Sequence, residues 1–202
     1  MLNVGILSKL HEDHLSVEEL LNQLEATEAE SEEREELFMQ AKEEIMVHKI
    51  TEERAFYSRL LQHPETRDIG KHCNEEHSEV DRLLAKLDQM DISSPKWLQT
   101  LSKLKTSILH HVEEEESKVF ELAQRAFGDE VLEELGEIYE QEKLHVQATL
   151  RGEAMVEDEV EDVDLEEQSR QALYERAQAE DIPGRSHMTK DELVGALRYG
   201  SP

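Results

Sequence analysis

Four histidines and two glutamates occupy positions in this 202-residue chain where helical spacing calls for apolar side chains. His14 falls among Leu7, Leu10, Val17 and Leu21, and His77 among Cys73, Val80, Leu84 and Leu87, so both imidazoles belong to apolar stripes. Two further stripes run Phe38, Ala41, Ile45, His48, Glu52, Phe56 and Leu104, Ile108, His111, Glu115, Val119. In each, His and Glu stand four apart on one inward face. A buried carboxylate is costly unless it is paired or binds a cation, and two facing each other also repel. A metal removes that penalty. Six N/O ligands from four helices suit a pair of first-row transition-metal ions with open positions, whereas a closed zinc site takes four ligands, usually including cysteine.

An internal repeat strengthens this reading. An offset of 63 residues places His14 on His77, Val17 on Val80, Leu20 on Leu83, Leu21 on Leu84 and Leu24 on Leu87 without a gap. It also places Ile45 on Ile108, His48 on His111, Glu52 on Glu115, Glu53 on Glu116 and Tyr57 on Phe120. Packing alone accounts for repeated leucines. Repetition of His, His and Glu inside the leucine stripe asks for a chemical reason, and two copies of one helical hairpin imply an approximate two-fold axis through the ligands.

With His14, the segment HKITEE from His48, the EEH ending at His77 and HVEEEE from His111, residues 5–125 resemble the hemerythrin-like, or HHE, cation-binding family. The resemblance implies a four-helix bundle holding two irons joined by an oxygen bridge, with manganese as an alternative metal. It makes His14, His48, His77 and His111 terminal ligands and Glu52 and Glu115 bridging carboxylates. Oxygen-carrying relatives have a fifth His four residues before the third-helix ligand, where this chain has Cys73, whose repeat mate is Leu10. Cys73 is read first as a core thiol and second as a ligand. His110 and His11 lie off the stripe as substitute ligands, and Glu116 is an alternative bridge to Glu115, with Glu53 and Glu116 otherwise read as solvated groups or as supports behind the ligands.

The elements that must position these residues are helical. Apolar residues make up 37 % of the chain, charged residues 35 % and aromatics 4 %, without the β-branched runs and turn signals of an all-β fold. Helices are expected at about 5–27, 33–62, 67–90, 95–127 and 129–150, punctuated by His63-Pro64, Ser94-Pro95, Gly128 and Gly152. Short connections make this an all-α, up-down-up-down four-helix bundle with one additional helix over residues 1–151. No apolar stretch reaches the roughly 20 residues of a membrane span, and neither a signal peptide nor a disulfide is expected with Cys73 as the sole cysteine. A cytoplasmic protein of unassigned oligomeric state follows.

Residues 153–167 carry nine acidic and no basic side chains, so 152–167 reads as an acidic linker. Residues 168–202 then read as a small helix, irregular stretch and helix, with Thr189 as N-cap of the last element. ALYERAQAEDIPGRSHMTKDELVGALR within it resembles the Rho N-terminal and SAP-like modules, which implies nucleic-acid contact through Arg185 and Lys190. The net charge of −27 opposes phosphate binding by the chain as a whole.

Rival chemistries find little support. A ferritin-like centre needs two Glu-x-x-His segments, and the chain has Glu142-x-x-His145 alone, outside the core helices. No His-Glu-x-x-His metalloprotease motif, nucleophile signature or Gly-rich phosphate loop is present. His63, His72 and His187 read as surface or loop residues. The expected function is a di-iron protein that binds or senses oxygen, peroxide, nitric oxide or iron and redox state, with enzymatic turnover left open. The alternative is a metal-gated scaffold or nucleic-acid-associated adaptor acting through the C-terminal module, and a metal-free helical scaffold is a third reading.

Overall fold

The computed structural model describes residues 5–29 and 31–152, together with 173 and 189–190. The backbone divides into two compact units, Met1–Arg151 and Gly152–Pro202. The first is built of helix α1 (Gly5–Ala26), α2 (Glu32–Glu52), α3 (Ser58–Gln62), α4 (Arg67–Asp88), α5 (Pro95–Glu114) and α6 (Phe120–Leu150). Among the described residues there is no strand, and no helix is long and apolar enough to cross a membrane. Linker residues 153–167 and most of the C-terminal module lie outside the described residues.

Local chemistry sets the helix starts. Ser31 Oγ accepts the Arg34 N–H at 3.2 Å, and Glu32, Glu33 and Glu35 follow in the first turn of α2, where the helix dipole favours negative charge. Ser94 caps α5 in the same way through the Trp97 N–H at 3.2 Å, with Pro95 supplying a preset first-turn φ. Buried Arg34 then ties these two connections together: its guanidinium donates to Thr27 Oγ1 at 2.9 Å and to the Ile92 carbonyl at 3.3 Å, and lies 5.6 Å from the Trp97 ring centre.

Two helices differ from the sequence expectation in one respect. The segments expected as continuous helices over 33–62 and 95–127 are each interrupted by a π-turn, at Glu53–Tyr57 and Glu115–Val119. Each wide turn begins at or directly after an inward glutamate of the repeat. π-Bulges of this kind add a residue to a turn and concentrate at functional sites. The break expected at Gly128 is present as a kink with φ 76°, a left-handed value that suits glycine.

The core lies in two clusters on either side of the inward polar residues. One gathers Ile6, Leu7, Leu10, Phe56, Leu60, Val119 and Phe120, and the other Val17, Leu21, Leu24, Phe38, Leu84, Trp97 and Leu101. Helix α1 packs against α2 and α6, and α4 against α5. The start of α1 meets α6 backbone to backbone: a Cβ on Gly136 would stand 2.8 Å from the Gly5 carbonyl carbon. That close approach lets α6 cover the α1/α2 side of the bundle.

Candidate metal centre

His14, His48, Glu52, His77, His111 and Glu115 are all buried, between the two apolar clusters. The two imidazoles of each half stand edge to face, His14 and His48 with ring centres 4.9 Å apart and His77 and His111 4.8 Å apart. Each glutamate reaches one imidazole of its own helix and one of the other half. Glu52 Oε2 lies 3.6 Å from His48 Nε2 and 3.3 Å from His77 Nε2, while Glu115 Oε2 lies 4.0 Å from His111 Nε2 and 3.3 Å from His14 Nε2. Donor atoms of His14, His48 and Glu52 all fall within 4.8 Å of one another, as do those of Glu52, His77 and His111, so Glu52 belongs to both groups.

The opposite ring nitrogens are anchored on outer side chains. His14 Nδ1 bonds Glu116 at 2.8 Å, His77 Nδ1 bonds Glu53 at 2.9 Å and His111 Nδ1 bonds Glu76 at 2.9 Å. His48 Nδ1 lies 3.3 Å from the Tyr139 hydroxyl and 3.7 Å from Asp13. With Nδ1 so engaged, each ring presents Nε2 to the interior, the arrangement by which outer carboxylates orient imidazole ligands. This anchoring also obeys the repeat: Glu53 and Glu116 are mates, and so are Asp13 and Glu76.

Tyr57 completes the inner surface. Its hydroxyl donates to Glu115 Oε1 at 3.0 Å and lies 3.3 Å from His111 Nε2. The phenol therefore stands within reach of the same point as the glutamate and imidazole. Cys73 is buried in the apolar cluster beside Tyr57, and burial pushes its thiol well above the usual range, so it stays protonated. It also shares a group of donor atoms with Glu76 and His111. His11 is half-buried and bonds Glu116 at 2.9 Å, whereas His110 is exposed and lies 3.4 Å from Glu76. Both thus meet outer carboxylates, not the inward glutamates.

Burial dominates the electrostatics. It pushes the Glu52 carboxyl well above the usual carboxylate range, and the charge of Glu115 acts in the same direction. Glu115 resists the same burial through its ion pair with His14 at 3.3 Å and the charge of His111, which hold it below that range. His48 is taken down to about 4 by burial, and His14, despite burial, is raised to about 10 by the Glu115 carboxylate facing it and by its hydrogen bond with Glu116. Asp13 also resists burial: the His48 imidazole 3.7 Å away and hydrogen bonds from Lys143 and Tyr139 hold it well below the usual range.

One observation tests whether a cation fits. His14 Nε2, both Glu52 oxygens and Glu115 Oε2 are buried without a hydrogen-bond partner, and they face one another. Orphaned buried polar atoms are rare, and a cation among them would take lone pairs from the carboxylate oxygens and from His14 Nε2 once that ring is neutral. The imidazole and carboxylate set matches first-row transition metals. Beside it, the four imidazoles and Val17, Ile45, Val80 and Ile108 enclose a cavity of about 30 Å³. That space admits a water or a diatomic molecule.

Sequence reasoning found the six inward residues but missed Asp13, Glu76, Tyr139 and the role of Tyr57. Tyr57 carried one signal, a hydroxyl where its repeat mate is Phe120; Tyr139 carried none, since it lies beyond the aligned segments of the repeat. Of the basic residues expected to meet nucleic acid, Arg185 lies outside the described residues and Lys190 is half-buried at a helical position.

Comparison with known proteins agrees with this geometry. No curated protein matches the chain. A solved structure of a hemerythrin HHE cation-binding domain-containing protein from Mycobacterium kansasii shares the fold, with a TM-score of 0.67 and 24 % identity over 75 % of this chain and 94 % of that one. The family profile described as the hemerythrin HHE cation binding domain matches residues 5–123, a span that holds all six inward His and Glu residues, and the chain therefore belongs to that family.

Proposed function

We propose that the chain is a non-haem di-iron protein whose buried centre binds or senses oxygen, peroxide, nitric oxide or iron and redox state. The carrying observation is the convergence of partnerless Nε2 and carboxylate atoms between rings whose far nitrogens are anchored. His14 and His48 would hold one iron and His77 and His111 the other, with Glu52 and Glu115 spanning both. Manganese is the alternative metal. The helices that carry them, α1, α2, α4 and α5, would run up-down-up-down through their short connections.

Such a metal pair supplies reversible binding or redox conversion of small oxidants when it is present. The chain's own residues do the rest. Glu53, Glu76 and Glu116 hold three rings in place, and Asp13 with Tyr139 holds the fourth. Tyr57 keeps a proton on its hydroxyl directed at Glu115, because burial raises that phenol well above the ordinary range. Val17, Ile45, Val80 and Ile108 keep the adjoining cavity apolar, which favours a neutral diatomic over bulk water.

Metal analysis and the visible spectrum of aerobically purified protein test the proposal. About two irons per chain, with oxo-to-iron charge-transfer bands that change on reduction or on addition of oxygen, peroxide or nitric oxide, are expected. A colourless, iron-free protein from iron-replete cells overturns it.

A further inference from the structure

Histidines left at the surface by the buried centre form a second cluster. His72 and Glu76 stand one turn apart on α4, and His110 and Glu114 one turn apart on α5, the same spacing as His48 and Glu52. Between the helices, His72 Nε2 lies 3.6 Å from Glu114 Oε2 and 3.8 Å from Glu76 Oε1, and His110 Nδ1 lies 3.4 Å from that same Glu76 oxygen. Donors bound about 2.1 Å from a shared tetrahedral cation stand about 3.4 Å apart. The donors of His72, Glu76 and Glu114, all within 4.8 Å of one another, therefore suit one ion, and His110 stands beside Glu76 as a further imidazole. The second oxygen of each carboxylate is committed elsewhere, Glu114 Oε1 to Lys118 at 3.0 Å and Glu76 Oε2 to His111 Nδ1 at 2.9 Å.

The repeat shows what this place requires. Asp13 is the mate of Glu76, and there Lys143 of α6 brings a positive charge to 2.6 Å. Glu76 is paired with imidazoles alone among the described residues. Two imidazoles and a second carboxylate stand where the other half has its lysine.

The cluster also connects inward. Groups of donor atoms within 4.8 Å of one another run His72, Glu76, Glu114, then Cys73, Glu76, His111, then Glu52, His77, His111, and last His14, His48, Glu52. Successive groups share Glu76, His111 and Glu52 in turn. Neighbouring groups thus share one residue at each step from the surface inward. The net charge of −27 raises the local cation concentration around such a surface.

We propose that His72, Glu76 and Glu114, with His110 beside Glu76, form a surface site for a divalent first-row transition cation, and that this site loads the buried centre through Glu76. The loading step rests on the di-iron reading; the surface site does not.

The test titrates Co2+ into the tag-free full chain stripped of metal by chelation, reading stoichiometry by calorimetry and filling rate by the cobalt d–d absorption. Wild type is expected to take about three ions, two buried and one at the surface. The double variant His72→Ala/His110→Ala is expected to take one fewer and to fill the buried pair about tenfold more slowly. Glu114→Gln, which keeps side-chain volume, is expected to act in the same direction, and unchanged melting of both metal-free variants excludes misfolding. Equal stoichiometry and rate in wild type and double variant overturn the proposal while leaving the buried centre intact. Loss of an ion with an unchanged rate keeps the surface site and overturns its loading role. A wild type that takes one ion, lost in the double variant, keeps the surface site and sinks the di-iron reading. A wild type that takes none overturns both.

Discussion

At the scale of single residues, the centre depends on two kinds of side chain that sequence patterns reveal unequally. Ligand candidates such as His48 and His111 interrupt apolar stripes and so betray themselves. Replacing either with alanine is expected to lower both metal content and melting temperature, because metal bound to the native state adds its binding energy to stability; metal-replete protein with wild-type melting would count against the ligand assignment. Anchoring residues such as Asp13 look ordinary in sequence, yet Asp13 holds the Tyr139 hydroxyl at 2.6 Å and Lys143 at 2.6 Å beside His48. Outer partners of this kind change metal affinity about 10- to 100-fold. Asp13→Asn should produce a loss of that order in a chelator competition titration, and an unchanged affinity would mean that packing alone aims the ring. Tyr57→Phe removes the hydroxyl 3.0 Å from Glu115. It is expected to keep metal near wild-type content but to alter the visible spectrum and weaken binding of the small ligand; an unchanged spectrum and ligand affinity would remove Tyr57 from the centre's chemistry.

At the scale of elements, the helices were legible because the first four carry a 3.6-residue apolar rhythm, with clear punctuation at His63-Pro64, Ser94-Pro95 and Gly128. The π-turns after Glu52 and at Glu115 were not, since an extra residue in one turn leaves composition and rhythm nearly unchanged over a window of that length. Helix α6 adds a constraint of its own. Its Gly136 faces the Gly5 backbone so closely that a methyl group would stand 2.8 Å away. Gly136→Ala is expected to cost about 1–3 kcal/mol in denaturant unfolding and to loosen the Tyr139 contact with Asp13. A variant as stable as wild type, with unaltered metal affinity, would show that α6 can shift without disturbing the centre.

At the scale of the whole molecule, buried ligands tie folding, metal and protons together. Ligation takes neutral imidazoles and ionised carboxylates, so protons compete with metal and affinity falls as pH falls. Metal content followed by spectroscopy during acid titration should decline cooperatively with melting temperature. Retention of the full spectrum through mildly acidic pH would point to other ligands. Metal removal at neutral pH should lower the melting temperature as well, since both buried Glu52 oxygens and Glu115 Oε2 are then left without a partner.

By itself the amino-acid sequence determined the all-helical class, the repeat and the six inward ligand candidates, because helical periodicity states which face of a helix each residue occupies. It also carried the family resemblance through residues 5–125, close to the span that the family profile matches. What only the tertiary structure decided is which outer side chain meets which imidazole: Glu116 of the fourth segment reaches back to His14, and Asp13 of the first meets Tyr139 of the last. Periodicity names a face but not the neighbour across from it. The surface cluster of His72, Glu76, His110 and Glu114 shows the same division, as two ordinary pairs in sequence acquire metal-ligand spacing only when α4 and α5 lie side by side.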